Sequence, residues 1–146
     1  MNYPDIECPV IGILRYEEKY DCYKGQLKVQ QSEISIQLLT DEDGAVASAL
    51  KRATDFVKEL EKHAQSARDY AVERLLTLKN ETWIEDKDEE PLTPEQFKER
   101  MVLDSISIDS DGDVSLYHND GDLFWGHCIL VTMDSENNFT SAEIAG

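Results

Sequence analysis

Positive charge is scarce in this chain. Its 146 residues carry 14 Lys and Arg against 31 Asp and Glu, a formal charge of −17. Such a surface repels phosphate backbones and anionic headgroups, which excludes nucleic acid or a membrane as the expected partner. Long apolar runs are missing too: nothing approaches the roughly 20 residues that cross a bilayer. Met1–Pro9 lacks the basic start and apolar core of a secretory leader. Cys8, Cys22 and Cys128 form no CxxC or CxxH spacing, as expected of reduced thiols in a cytoplasmic protein. Without secretion, the sequons at Asn80 and Asn138 are chance matches. Gly12, Gly25, Gly44 and Gly112 stand alone, so no phosphate-cradling loop is present, and there is no Gly-x-Ser-x-Gly elbow. No cofactor is expected.

What remains is enough to fold. Hydrophobic residues make up 40% of the chain, and its length suits one domain over 1–146, since two halves would bury little apolar surface. After an extended N-terminal segment (1–9), three strands are expected. Val10–Tyr16 is apolar on both faces, Tyr20–Gln30 has a bulge or bend at Lys24-Gly25, and Ser32–Leu39 alternates cleanly through Ile34, Ile36 and Leu38. Thr40 to Asp43 supply side-chain acceptors for a helix start. From Ala45 to Lys79 neither proline nor glycine interrupts an apolar stripe at Leu50, Val57, Ala64, Ala71 and Leu78. One continuous helix there would be roughly 50 Å long, against a domain width of roughly 40 Å. It is expected to overhang or bend, with the polar His63–Ser66 stretch as its weakest point. An overhang would offer a homodimer contact through helix 45–79.

Asn80 is a plausible helix stop, and an acidic connector (81–92) follows. Thr93-Pro94-Glu95-Gln96 spells a capping box with proline at the first helical position, opening a short helix through Met101. The remainder reads as a meander. Ile106 and Ile108 lead to a turn at Asp111-Gly112, and Val114 and Leu116 leave it. A second turn at Asp120-Gly121 opens Leu123–Met133, and Glu136-Asn137-Asn138 opens Phe139–Ala145. The expected fold is α+β, an antiparallel sheet in the order βββ-α-α-ββββ with one long and one short helix on one face.

The run Asp122-Leu123-Phe124-Trp125-Gly126-His127, then Ile129 and Val131, together with Leu75 to Asn80 and Trp83 and the closing Ala142 to Gly146, resembles a short bacterial family. It is catalogued as domain of unknown function 2262. The resemblance extends from about Gly12 to Gly146. It implies an α+β domain and carries over no catalytic residue; kinship in type with small acidic immunity proteins is an analogy of class alone.

Two clusters could carry chemistry. His118, Asp120, Asp122 and His127 mix imidazole with carboxylate, and a turn at Asp120-Gly121 would fold the two histidines together. A metal would draw on His118 and His127. A small-molecule or metal-dependent enzyme would use His127 as general base, oriented by Asp120 or Asp122. Strand alternation puts Trp125, His127, Ile129 and Val131 on one face, where packing alone would account for the ring. Asp109 to Asp113 fails as a calcium loop, because positions six and twelve are Val114 and Asp120.

The second cluster is the connector. Trp83 is followed by Glu85, Asp86, Asp88, Glu89 and Glu90. A net charge of −17 exceeds the magnitude of about 2–8 that solubility needs in a small domain. Electrostatic capture of a basic protein is one purpose for the excess, with Trp83 and Ile84 as anchors. The leading expectation is thus a non-enzymatic intracellular binding domain for a basic protein, of inhibitor or immunity type.

Overall fold

A computed structural model describes residues 3–29, 32–84 and 88–145. Four strands come first: β1 (Ile6–Cys8), β2 (Gly12–Glu17), β3 (Cys22–Val29) and β4 (Ser32–Leu39). Helices α1 (Ala47–Lys58), α2 (Leu60–Glu81) and α3 (Pro94–Arg100) follow. Strands β5 (Val102–Ile108), β6 (Val114–Asn119), β7 (Cys128–Met133) and β8 (Phe139–Ala145) complete the chain. All eight strands lie in one sheet in chain order.

The sheet is mixed, not antiparallel throughout. Strands β4 and β5 run parallel, with Ser35 opposite Ser105 and Leu38 opposite Ile108, and every other neighbouring pair is antiparallel. Parallel neighbours require a crossover of a dozen residues or more. The three helices between Leu39 and Val102 are that crossover, joining two four-stranded meanders.

One face of the sheet is buried under the helices. Ile34, Ile36, Leu38, Ile106, Ile108, Val114, Leu116, Ile129, Val131 and Met133 meet Ala49, Ala53 and Phe56 of α1 and Ala67, Ala71 and Leu75 of α2. The intervening Gln37, Ser107, Ser115 and Tyr117 are only partly buried on the other face. No helix among the described residues is long and apolar enough to cross a membrane.

Four expectations change. The extended segment 1–9 contains β1, which pairs with Gly12–Leu14, while Val10 and Ile11 form the intervening turn. The β3–β4 register passes Gly25 without a bulge. A Cβ there would sit 2.7 Å from Leu14 Cδ2, so any larger residue would displace that buried side chain. Thr40 to Asp43 do not cap a helix: Asp41 Oδ1 accepts the Asp43 and Ala45 amides and closes a turn before α1. The long helix breaks, but at Glu59 (φ −120°, ψ 31°) and not within His63–Ser66, which stays helical.

Packing places the break. His63 is buried and stacks on Phe56, with ring centroids 4.6 Å apart and planes 4° apart. This contact clamps the end of α1 to the first turn of α2. In an unbroken helix these residues, seven apart, would share a face but lie about 10.5 Å apart along the axis, too far for the rings to stack. Asn80, expected as a stop, lies one residue before the end of α2, and its side-chain amide pairs with the Leu92 backbone.

The short α3 has the cap its sequence spells. Thr93 Oγ1 accepts the Gln96 amide, and Gln96 Oε1 accepts the Thr93 amide. Asp109 to Asp113 form a hairpin turn in which Asp109 Oδ1 accepts the Asp111 and Asp113 amides. Arg52 from α1 donates to the carbonyls of Gly112 and Asp134, each at 2.9 Å, tying two turns to the helix layer.

Candidate binding site

Between β6 and β7 the chain does not run on as a strand. Residues 121–126 are turns, so the strand expected over Leu123–Met133 starts only at Cys128. The cause is Asp120, which is 2% exposed. Its Oδ1 accepts the Asp122 amide at 2.9 Å, and its Oδ2 accepts those of Phe124 at 2.8 Å and Gly126 at 3.2 Å. A buried carboxylate must be compensated, and three converging N–H groups do so by winding the backbone around it. Gly121 (φ 55°) presses on the end of α3, where a Cβ would lie 2.5 Å from the Arg100 carbonyl oxygen. The Arg100 guanidinium in turn donates to the Gly121 carbonyl.

The winding sorts the side chains. Leu123 and Phe124 are fully buried, whereas Trp125 is 53% exposed. Trp125 has φ 59° and Asp122 has φ 66°, a region costly for a bulky side chain. Trp125 and His127 therefore do not alternate on a strand face with Ile129 and Val131.

Trp83, from just beyond α2, packs into this loop. Its ring lies 5.5 Å from Phe124, 4.7 Å from Trp125 and 5.5 Å from His127, edge-on to each. Lys79 pins it in place: this 5% exposed lysine donates to the Trp83 carbonyl at 2.6 Å and pairs with Glu89 at 3.4 Å. The Asn80 amide closes the base of the connector on Leu92, donating at 3.1 Å and accepting at 2.9 Å. Asp88, Glu89 and Glu90 are exposed beyond that base; Glu85 and Asp86 lie outside the described residues. A half-exposed pair of indoles thus stands where the acidic connector begins.

His118, Asp120, Asp122 and His127 are also brought together. They line one cavity of about 260 Å³ with Asp104, Tyr117 and Cys128 among its other walls. Their hydrogen bonds, however, run to the backbone. His118 is 1% exposed, its Nδ1 lies 3.3 Å from the Ile129 carbonyl oxygen, and its Nε2 has no partner among the described residues. Burial lowers its pKa to about 4, so the ring is neutral at pH 7. His127 Nδ1 lies 2.6 Å from the Phe124 carbonyl oxygen and donates to it, leaving Nε2 with the lone pair. Phe124, and neither Asp120 nor Asp122, orients this ring. Among the described residues no three His, Cys, Asp or Glu side chains are grouped to hold a metal ion. The cavity is also smaller than the roughly 300–1,000 Å³ of small-molecule sites.

Trp83 and the imidazole cluster are each singled out by the sequence, but not that Trp83 packs into the loop that carries Asp122 and His127. The exposure of Trp125 is hidden too, because a clean alternation pattern conceals the turns that Asp120 imposes. The one signal for it was the Leu-Phe-Trp-Gly-His run. Comparison with curated proteins and with solved structures gives no match. A family described as an uncharacterised protein conserved in bacteria (DUF2262) matches residues 9–144, and the chain belongs to that family.

Proposed function

We propose that this chain is a non-enzymatic intracellular binding domain that captures a basic protein, as an inhibitor or immunity protein does. The Trp83–Trp125 pair carries the reading. An indole held half-exposed at a costly backbone angle, packed on a second indole, is the kind of aromatic anchor that dominates interface energies. Tryptophan faces also attract Lys and Arg side chains, by about 0.5–2 kcal/mol depending on desolvation. The exposed carboxylates of Asp88, Glu89 and Glu90 on the connector after Trp83, and of Asp122 on the loop that holds Trp125, would steer such a partner in and raise its association rate. Glu85 and Asp86 extend the same acidic run in sequence.

Co-purification with the products of neighbouring reading frames tests this. The expected result is a complex with a basic protein that dissociates as salt rises and is lost on Trp125→Ala. Retention of the complex by Trp125→Ala, or its insensitivity to salt, would refute the assignment.

A second reading has its own observation, the single cavity shared by His118, Asp120, Asp122 and His127. It makes the chain a small-molecule or metal-dependent enzyme with His127 Nε2 as the proton acceptor. Thermal stabilisation by a divalent metal that disappears in His127→Ala would favour it over the binding domain. A homodimer through the exposed faces of α1 and α2 is the self-associating alternative, and sedimentation at two concentrations distinguishes it.

A further inference from the structure

A second surface has the opposite chemistry. Strand β2 pairs with β3 only through Arg15, Tyr16 and Glu17, opposite Lys24, Tyr23 and Cys22. Its first half turns away to pair with β1. The Ile13 carbonyl still flanks Gly25, but from Gln26 to Val29 β3 keeps β4 on one side and has no strand on the other among the described residues. The gap is a groove of about 630 Å³ between Val10-Ile11, Leu27 to Val29 and the α1–α2 break at Val57 to Lys62. It continues through Val29, Leu60 and Glu61 into a space of about 370 Å³ reaching Arg68.

The cations of the molecule are distributed unevenly around it. Most of the described lysines and arginines are engaged, in ion pairs, on backbone carbonyls or over rings. Lys28, Lys51, Lys58, Lys62 and Arg68 have no such partner among the described residues, and all but Lys51 line the groove or its continuation. Three lysines there face two glutamates, Glu59 and Glu61, in a chain with 14 cations to 31 anions. Lysine on an exposed strand edge commonly guards against aggregation, which would account for Lys28. It does not account for Lys58, Lys62 and Arg68, which come from the helices.

We infer that this groove is a second binding site, which takes an extended acidic segment of a partner protein as an added strand on β3. The free edge from Gln26 to Val29 supplies main-chain donors and acceptors, and four residues at about 3.4 Å each span roughly 14 Å. The aliphatic floor of Ile11, Leu27 and Leu60 receives alternate apolar side chains. The unpartnered cations receive the acidic ones.

Fluorescence anisotropy with a labelled heptapeptide alternating glutamate and valine tests the inference on the full chain. A molecule at −17 should reject this peptide in favour of its glutamine–valine counterpart. The groove predicts the reverse order, by about tenfold, equivalent to about 1.4 kcal/mol. N-methylation of alternate peptide amides, or Lys28→Gln with Lys58→Gln and Lys62→Gln, should each weaken binding about tenfold. Lys51→Gln should leave it unchanged, and arginine at the three positions should restore it. Equal or tighter binding of the glutamine peptide, indifference to N-methylation, or no binding of the glutamate peptide at about 1 mM would each overturn the inference. So would groove occupancy by sodium dodecanoate that the peptide cannot displace, or self-association abolished by Lys62→Glu. None of these outcomes bears on the Trp83–Trp125 pair, so the two sites stand or fall separately.

Discussion

His118 should make the fold acid-sensitive within a defined window. Its ring is fully buried on the helix side of β6, with one nitrogen on the Ile129 carbonyl and the other without a partner among the described residues. Burial is the main reason its pKa falls from 6.5 to about 4; the Arg68 charge acts in the same direction, and backbone contacts with Ile129 and Leu116 oppose both. In the unfolded chain the ring titrates near 6.5. Above that pH both states are neutral and the group contributes no pH dependence. Between 6.5 and 4 the unfolded chain binds a proton that the folded chain refuses, so stability falls as pH falls. The slope is about 1.4 kcal/mol per pH unit, which gives about 3 kcal/mol by pH 4. His63, also lowered chiefly by burial, acts with the same sign, so His63→Gln provides the background. In that background, urea unfolding at pH 7.0 and 4.5 should show about 2–3 kcal/mol more loss with His118 present than with His118→Leu. Carboxylate protonation is common to both proteins and cancels in the difference. A proton NMR midpoint for His118 near 6.5, or equal pH losses in the two proteins, would refute the reasoning.

Trp125→Gly relieves the strain of φ 59° but adds unfolded-chain entropy and loses the edge contact with Trp83, so stability should change by no more than about 1 kcal/mol. The same change should abolish partner binding, and a loss of about 3 kcal/mol or more by chemical denaturation would show that the indole serves packing instead. Asp120→Asn replaces one acceptor oxygen with a donor facing backbone amides. A cost of about 2–3 kcal/mol is expected, with a red shift in tryptophan emission as the loop loosens around Trp83 and Trp125. Thr93→Ala removes half of a capping box and should cost about 1 kcal/mol in the same assay.

Part of the chain's acidity has local work besides any partner. Asp41, Asp109, Asp120 and Asp134 each accept two or more backbone amides and close a turn. The surplus that drives the binding hypothesis is therefore carried mainly by the other carboxylates, not by these four. Asp109 to Asp113 thus fold as a hairpin around Asp109, while Asp88, Glu89 and Glu90 are exposed and Glu89 pairs with Lys79.

Local chemistry alone determined a good part of this protein. The alternation of Ile34, Ile36 and Leu38, the capping box at Thr93 and the turn at Asp111-Gly112 each specify their own conformation within a few residues, and each is present as expected. The parallel β4–β5 pair, the break at Glu59, the splaying of β2 from β3 and the exposure of Trp125 were decided only by tertiary structure. Each depends on packing that no single segment dictates: the helical crossover beyond Leu39, the sheet against which Phe56 is buried while His63 stacks on it, β1, and Trp83 some forty residues before its loop. Such contacts leave no period in the sequence, because their energy arises only when distant segments are already packed together.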